Sequence, residues 1–333
     1  AGSKIVSVSA VTGGGLDDLR ATLDERLSST EPRKDLGRPR LAVDRSFTIT
    51  GFGTVVTGTL TDGCLHIGQE IQIVPSQKRA RIRGLQTHHQ QLQEARPGSR
   101  VAVNLSGISH EQIQRGQVLT TPGWLQTTPA LDVILTMSKD SPQVLRHNST
   151  VSFHCGTTET LAKVRLLEDD VIKAGNSAWV QLRLYDSLPV VKDDFFIVRS
   201  SEATLGGGRI VDPLAKRHKR NHRPTLERLE IIGRGSEEEV LLRTLDELSP
   251  IDYQALVNRV HLSEADCRRA LENLLEQNLA LIIGGQELVK GTLLYSASRW
   301  SNLQQTVRAT LDQHHSQFPL RKGMPKEEFR NRL

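Results

Sequence analysis

A dense group of basic side chains lies at residues 215–223, AKRHKRNHR. Neighbouring cations of this kind can neutralise the phosphates of a nucleic acid. The resulting affinity does not depend on base sequence and falls as the salt concentration rises. The candidates are Lys216, Arg217, Lys219 and Arg220. The same composition also fits a solvated helix between two domains, so both interpretations stay open.

Three further arginines, Arg259, Arg268 and Arg269, lie in the second and third of three predicted helices near the C-terminus. A recognition helix could place such side chains in a groove or against an RNA backbone. Ordinary pairs with Glu264 and Glu272 on an exposed helix face explain them equally well.

The histidines and cysteines offer weaker candidates. His218 and His222 stand four residues apart, as a metal pair on a helix would, but the sequence has no nearby cysteine or third ligand. His154 and Cys155 are adjacent on a predicted strand and therefore point to opposite faces, so they cannot act as base and nucleophile. We predict no metal site and no catalytic residue.

Composition sets the wider limits. The chain has 333 residues, which predicts two to four domains, and its 37% hydrophobic content with 4% aromatic predicts cores of Val, Ile and Leu. A net charge of +5 is compatible with nucleic acid without requiring it. Three widely separated cysteines and the lack of a long apolar run indicate reduced thiols in a cytoplasmic protein with no membrane span.

Hydrophobic periodicity gives the elements. Residues 4–10 alternate between apolar and polar types, which predicts a short strand. A glycine-rich loop then leads into a predicted helix with leucines on one face. Two sets of short β segments follow, and a boundary is expected at 124–129. Helices are predicted at 237–247, 253–259 and 263–277, the last capped by Ser263, and LALII and ELVKG would pair as a hairpin to complete a winged helix.

The predicted fold is multidomain: a remnant of an α/β nucleotide-binding domain, two antiparallel β-barrels and an α+β winged helix. The predicted limits are 1–30 for the remnant, 31–40 for a linker, 41–123 and 128–213 for the barrels, 214–224 for the basic linker, 225–291 for the winged helix and 292–333 for the truncated start of a second one. We expect the chain to be part of a longer protein.

Ordered motifs carry a family resemblance. LAVDRSFTITGFGTVVTGTLTDGCLHIGQEIQIVP, followed by RIRGLQTH, PGSRVAVNL and IQRGQVL, resembles the second domain of translational GTPases. FHCGTTETLAKVRLL, and GGGRIVDP running into a basic linker, resemble the selenocysteine-specific elongation factor more than elongation factor Tu or initiation factor 2. The loop from Ser9 and Ala10 to Gly15 resembles the last guanine-binding motif of GTPases, although a glycine-rich turn of any α/β protein would look alike.

The resemblance implies a pocket for the selenocysteyl group, formed by Asp44, Arg45 and Arg100. A selenol is more acidic than a thiol, whose reference pKa is about 8.5, so it is largely an anion at neutral pH. Two guanidinium groups would favour that anion over a neutral serine hydroxyl, and Asp44 could hold one of them in place. Because Arg45 shares strand parity with Leu41 and Val43, a solvent-facing position is not expected for it.

The resemblance also implies GTP and Mg²⁺ as cofactors of an intact protein, and selenocysteyl-tRNA, the ribosome and an mRNA hairpin (SECIS) as partners. The sequence contains neither a GxxxxGK[ST] phosphate loop nor an NKxD motif, so we expect no GTP hydrolysis by this chain alone. The hairpin would be bound by later winged helices, which we expect to be mostly missing here.

Two alternatives remain open at this point. The chain could belong to a translational GTPase that carries another tRNA, of the elongation factor Tu or initiation factor 2 type, although Asp44-Arg45 and the winged helix count against it. It could also be a winged-helix regulator that binds nucleic acid, but that function would not explain the ordered motifs across 41–213.

Overall fold

A computed structural model describes residues 4–30, 35–260, 262–285 and 287–332 of the chain. The predicted linker at 31–40 therefore lies partly outside the described residues. The chain divides into two compact units, residues 1–35 and residues 36–333. Each unit is described by itself.

The first unit contains one helix, α1 (Leu16–Ser28), with Asp17 and Asp18 in its first turn, where they favour the positive end of the helix dipole. The predicted strand at 4–10 was wrong, because these residues form no ladder with any described strand. An alternating segment becomes a strand only when a neighbour accepts its backbone hydrogen bonds. The predicted leucine face is present but open, since Leu23 and Leu27 are 51% and 70% exposed.

The second unit begins with a β-barrel of short strands. Its strands are β1 (Arg40–Ile49), β2 (Gly53–Asp62), β3 (Leu65–His66), β4 (Glu70–Val74), β5 (Lys78–Thr87), β6 (Gln90–Leu92), β7 (Glu94–Ala95), β8 (Arg100–Ser106) and β9 (Val118–Thr120). Six of them form a ring in the order β4-β9-β1-β2-β8-β5, which the β4–β5 pairing closes. Aliphatic side chains, Leu41, Val56, Ile71 and Val103 among them, fill the interior.

A second barrel follows directly. Its strands are β10 (Thr128–Met137), β11 (Leu145–Arg146), β12 (Thr150–Cys155), β13 (Thr158–Leu166), β14 (Val171–Ile172), β15 (Ser177–Leu188), β16 (Phe195–Arg199) and β17 (Thr204–Asp212). The closed ring has the order β10-β15-β13-β12-β16-β17. Phe153 and Phe196 stack inside it with ring centroids 5.4 Å apart.

The triplet Gly206-Gly207-Gly208 lies inside β17. A Cβ at Gly206 would lie 2.3 Å from the carbonyl oxygen of Thr136, and one at Gly208 would lie 1.9 Å from that of Ile134. Both distances are impossible for real atoms, so the close approach of β17 to β10 requires residues without side chains.

The two barrels are joined by a buried ion pair. Both terminal nitrogens of Arg40 donate to the carboxylate of Asp194 at 2.8 Å, and the two side chains are 9% and 14% exposed. A second link joins Thr158 Oγ1 to the carbonyl oxygen of Gly116 at 2.8 Å. Because Arg40 opens β1 and Asp194 precedes β16, the pair fixes one barrel against the other.

The C-terminal part forms a winged helix and the helices after it. Its elements are α2 (Arg223–Arg234), α3 (Glu237–Leu248), β18 (Ile251–Asp252), α4 (Tyr253–Arg259), α5 (Glu264–Glu276), β19 (Ala280–Ile283), β20 (Leu293–Ser296), α6 (Ala297–Gln317) and α7 (Lys326–Arg332). The three predicted helices and the cap are confirmed, and Ser263 accepts from the amide of Asp266 at 3.0 Å. Leu229 of α2 packs on Trp179 and Val211 of the second barrel.

The predicted second strand of the hairpin was wrong. β19 pairs with β20 at 293–296 rather than with ELVKG at 287–291, and β18 adds to the other edge of β20. Leu294 is fully buried opposite Ile282, so this register places an apolar side chain in the core. The ELVKG segment instead belongs to a longer loop, which turns back through a positive φ at Gly291.

Within the described ranges, none of the helices combines the length and the apolar character that crossing a bilayer requires.

Replacing Arg40 by Ala should lower the free energy of unfolding by about 3–5 kcal/mol, because it leaves the Asp194 carboxylate buried and unpaired. Denaturant titration would measure this, with exposed Arg217→Ala as the control. The combined Arg40→Met, Asp194→Leu variant should be closer to wild type than Arg40→Ala. Equal stability of Arg40→Ala and the control would contradict a role for the pair.

Candidate functional site

A bulge in β1 assembles a polar cluster on the outside of the first barrel. Val43 pairs with Gly58 and Arg45 pairs with Thr57, so Asp44 is an extra residue between them. Such a bulge shifts the alternation of the strand and re-aims the side chains beside it. Asp44 and Arg45 therefore both lie opposite Thr57.

Asp44 and Thr57 hold Arg100 from β8. Thr57 donates to Asp44 Oδ1 at 2.6 Å, and Arg100 Nη1 donates to Asp44 Oδ2. Arg100 Nη2 lies 3.4 Å from Thr57 Oγ1, and Thr87 Oγ1 donates to the Arg100 carbonyl at 2.8 Å. The carboxylate is 19% exposed and the guanidinium side chain 57%, so a neutralised but accessible cation faces outward. Thr57 was not among the predicted site residues.

Arg45 is exposed, contrary to the expectation from strand parity. That expectation was wrong because the bulge at Asp44 reverses the faces: Val43 points into the core, while Phe47 and Ile49 are 37% and 41% exposed. The side chain of Arg45 has no hydrogen bond or ion pair with any of the residues described. Its cation is available beside Thr57, on the same face as the Asp44–Arg100 pair.

The glycine-rich loop of the first unit is a defined turn. Ser9 donates its amide to the Gly14 carbonyl at 3.0 Å and accepts from the Gly13 amide at 2.9 Å, while its hydroxyl accepts from the Thr12 amide. Gly15 has φ of 77°, and a Cβ there would lie 2.1 Å from the carbonyl oxygen of Ser7. The loop thus presents the Ser9-Ala10 backbone in a fixed shape.

The four candidate cations of the basic run separate into one structural cation and three exposed ones. Arg220 donates to the carbonyls of Leu166, Glu168 and Asp169 at 3.0–3.1 Å and to the Asp170 carboxylate at 2.6 Å. These contacts fasten the run to the end of β13, so Arg220 is not available to a phosphate. The exposed cations are Lys216, Arg217 and Lys219.

His218 anchors the same segment, a contact that the sequence did not reveal. Its Nε2 lies 2.6 Å from Asp132 Oδ2, and Gln181 donates to the other oxygen of Asp132 at 2.9 Å. Burial raises the pKa of the Asp132 carboxyl, and hydrogen bonding to His218 opposes that rise. His222 instead lies at the start of α2, 2.8 Å from Thr225 Oγ1.

The three arginines of the winged helix are engaged within the chain. Arg268 donates to the Leu288 carbonyl at 2.8 Å, and Arg269 pairs with Asp266 and with Glu237 of α3. The partners expected from helix spacing, Glu264 and Glu272, are not those found. Arg259 lies 3.8 Å from the Asp212 carboxylate.

Strand register adds two cations that the sequence interpretation missed. Lys163 of β13 pairs directly with Arg183 of β15, and both are exposed. In the next row of the same outer face, Gln181 donates to the Lys216 carbonyl at 2.8 Å. We call this surface the cationic face; its members are Lys163, Arg183, Lys216, Arg217 and Lys219. The alternation in LAKVRLL and VQLRL was the available signal.

All three cysteines lie among the described residues and none of them forms a disulfide; Cys155 and Cys267 are buried. Burial raises the pKa of Cys155 to about 12 and that of Cys267 to about 12, so neither is a nucleophile at neutral pH. His154 lies on the opposite side of its strand from Cys155, 3.8 Å from Glu159.

Comparison with known proteins now defines the class. Residues 53–120 match the family described as elongation factor Tu domain 2, so the first barrel is of the translation-factor type. Residues 132–217 match the β-barrel domain of the selenocysteine-specific elongation factor, and residues 308–333 match a winged helix of elongation factor SelB.

A relative over the whole chain narrows the class further. The chain is 37% identical over 337 residues to the selenocysteine-specific elongation factor of Desulfomicrobium baculatum, covering 98% of the chain and 52% of that protein. The chain belongs to the selenocysteine-specific elongation factor family. It spans about half the length of the curated relative it matches.

Two solved structures share the fold. A bacterial selenocysteine-specific elongation factor, EF-Sec, matches with a TM-score of 0.73 and 22% identity, covering 99% of the chain and 51% of that structure. The apo form of SelB from Methanococcus maripaludis matches with a TM-score of 0.56 and 24% identity, covering 66% of the chain and 52% of that structure. Both likenesses are of fold, the first over nearly the whole chain and the second over about two thirds of it.

Replacing Arg220 by Ala should loosen the attachment of residues 216–222 to the second barrel, because a hydrogen bond from a charged donor contributes about 1.5–3 kcal/mol. Hydrogen exchange at the Asn221 amide, which donates to the Leu167 carbonyl, would report this as faster exchange by about tenfold or more. Lys219→Ala, an exposed neighbour, is the matched control. Unchanged protection in Arg220→Ala would mean that the contacts are not structural.

Proposed function

We propose that the chain is the tRNA-carrying part of a translation elongation factor that delivers selenocysteyl-tRNA to the ribosome at recoded UGA codons. Family membership supports this role, and the polar cluster of Asp44, Thr57 and Arg100 beside Arg45 is the observation that carries it. The factor would act in the cytoplasm, where translation takes place. Neither the other tRNA carriers nor a winged-helix regulator is favoured by the family matches.

The cluster suits an anionic selenium atom. Arg100 is held by Asp44 and Thr57, so little side-chain entropy is lost when it binds a ligand, while Arg45 supplies a cation with no partner among the described residues. Together the two arginines and one carboxylate leave a net positive charge. A selenolate is favoured there over a seryl hydroxyl, since charge-assisted contacts are about twice as strong as neutral ones.

GTP and Mg²⁺ are proposed as cofactors of the longer protein only. In this chain the Ser9-Ala10 turn, with its backbone fixed by Gly13 and Gly14, fits a guanine base as a partner of main-chain groups. When bound, GTP would supply the switch between carrier states. We assign no phosphate or Mg²⁺ ligand to this chain, because its sequence has no phosphate loop.

The cationic face is proposed as an RNA contact. Lys163 and Arg183 lie side by side on the barrel, and the segment with the exposed Lys216, Arg217 and Lys219 is held against the same barrel. Such a group of cations can follow a phosphate backbone without reading its bases. Of the predicted candidates, Lys216, Arg217 and Lys219 remain in this proposal. Arg220, Arg268 and Arg269 leave it, since their side chains donate to groups within the chain. Arg259 leaves it because only 25% of its side chain is exposed, beside Asp212.

The predicted domain limits stand as proposals with one change: the winged helix should extend to at least Ser296, because β20 is part of its sheet. The segment that follows would begin a second winged helix. We propose an mRNA hairpin as the partner of winged helices in the longer protein, and the ribosome as the partner of the whole factor.

Arg100→Ala should abolish the preference for selenocysteyl-tRNA over seryl-tRNA, lowering affinity for the former by at least about tenfold, because one charged contact is worth about 1.5–3 kcal/mol. Protection of the aminoacyl ester from hydrolysis measures binding of each tRNA. Arg83→Ala, an exposed arginine of the same barrel, is the control. Equal protection of both tRNAs by the unmodified chain would contradict a pocket specific for the selenocysteyl group. The chain would then be a general tRNA carrier.

Replacing Lys216 and Lys219 together by Gln should reduce the slope of log affinity for tRNA against log salt by about 1.5–2, since two phosphate contacts are lost. Lys173→Gln, on the same barrel outside the cationic face, should leave the slope unchanged. The contact would be refuted by parallel slopes for the double variant and the unmodified chain.

A further inference from the structure

A cleft of about 410 Å³ opens where the second barrel meets the winged helix. Its walls come from the segment between the barrels, the ends of the second barrel, and helices α2, α3 and α4. Ligand sites commonly have this volume and lie at domain junctions. The selenocysteyl cluster, the Ser9-Ala10 turn and the cationic face all lie outside the cleft. Of the arginines that the sequence suggested for RNA binding, Arg259 alone lines it.

The cleft contains more cations than the carboxylates in it can neutralise. Four arginines line it, Arg38, Arg228, Arg243 and Arg259, against two carboxylates, Asp212 and Glu247. Arg38 donates at 2.6 Å to the carbonyl of Val257 at the C-terminal end of α4, where the helix dipole favours its charge, and Asp62 also favours that charge from outside the cleft. The remaining three arginines share two carboxylates.

The shared carboxylates already have their donors. Asp212 accepts from Arg228 Nη2 at 2.6 Å and from the Leu214 amide at 2.9 Å, and Glu247 Oε1 accepts from Arg228 Nε at 2.7 Å. Burial alone would raise the pKa of Asp212, but Arg228 and Arg259 keep that pKa below its usual value. Asp212 is therefore an anion at neutral pH.

Donors are nevertheless left over. Arg228 Nη1 and Arg243 Nε are buried and have no hydrogen-bond acceptor among the described residues; Arg243 Nε lies 3.2 Å from Glu247 Oε1, without the alignment of a hydrogen bond. Arg259 stands 3.8 Å from Asp212, beyond hydrogen-bond reach. Buried N–H groups without acceptors are rare in folded proteins and point to an acceptor that is not part of the chain.

We propose that this cleft is a binding site for a small phosphorylated molecule, with the phosphoryl oxygens accepting from Arg228, Arg243 and Arg259. Planar guanidinium groups match phosphate oxygens in geometry as well as in charge. The rest of the ligand would lie against an apolar wall that includes Trp124, Val190 and Leu248. Trp124 is rigid there, because Arg38 covers its ring at 5.5 Å.

The apolar wall distinguishes between two sources of phosphate. Inorganic phosphate or pyrophosphate would use the arginines alone. A nucleoside diphosphate would add contact with the wall, and the cleft volume is large enough for both parts. We expect the nucleoside diphosphate to bind more tightly than pyrophosphate of the same charge.

The test is isothermal titration of the chain with pyrophosphate and with guanosine and adenosine diphosphates at constant ionic strength. Both Arg243→Gln and Arg259→Gln should weaken binding of each ligand by about tenfold, the effect of losing one charge-assisted hydrogen bond. Arg83→Gln removes an exposed cation of the first barrel and should leave the affinity unchanged. Trp124→Leu should weaken the binding of the nucleoside diphosphates but leave the binding of pyrophosphate unchanged.

The thermal unfolding midpoint of each variant without ligand shows whether it still folds. Absence of binding by all three ligands, or binding that Arg83→Gln weakens as much as Arg259→Gln, would overturn the proposal. Binding of RNA alone, with no response to small phosphates, would also overturn it. Loss of tRNA binding in Arg100→Ala has no bearing on these outcomes, because Arg100 lies on the first barrel.

Discussion

The ion pair between Arg40 and Asp194 is the constraint on which the second unit depends. Two closed barrels have no sheet edges through which they could join, so only side chains can fix their relative orientation. The bidentate pair does this at the first residue of β1. Every outward position on the first barrel, the bulge at Asp44 included, is therefore held in register with the second barrel and with the winged helix attached to it.

Burial separates the arginines of this basic protein into two groups. Arg40, Arg220 and Arg228 act inside the molecule, where each meets carbonyls or carboxylates and joins segments distant in sequence. Arg45 and Arg217 stay exposed and can meet a ligand. Net charge alone could not have made this distinction, since it counts both groups equally. The sites proposed here follow from which guanidinium groups the fold leaves without a partner.

Alternation and glycine spacing were enough to predict both barrels and the helices of the winged helix, because buried strands and capped helices leave local patterns. The exposure of Arg45 escaped prediction, since a one-residue bulge at Asp44 reverses the faces without altering composition. Arg220 and His218 were misjudged for a different reason: their partners, Asp170 and Asp132, lie far away in the chain. The strand at 293–296 was missed because a long loop separates it from β19.

The glycine triplet of β17 has a consequence for how this protein can change over time. Backbone atoms of β10 and β16 occupy the space where side chains at 206, 207 and 208 would project. A lineage can exchange the charged residues on the outside, and with them the cargo, while these three positions admit no alternative. Divergent descendants of this barrel should thus be traceable by three consecutive glycines within its last strand, even after their binding residues have become unrecognisable.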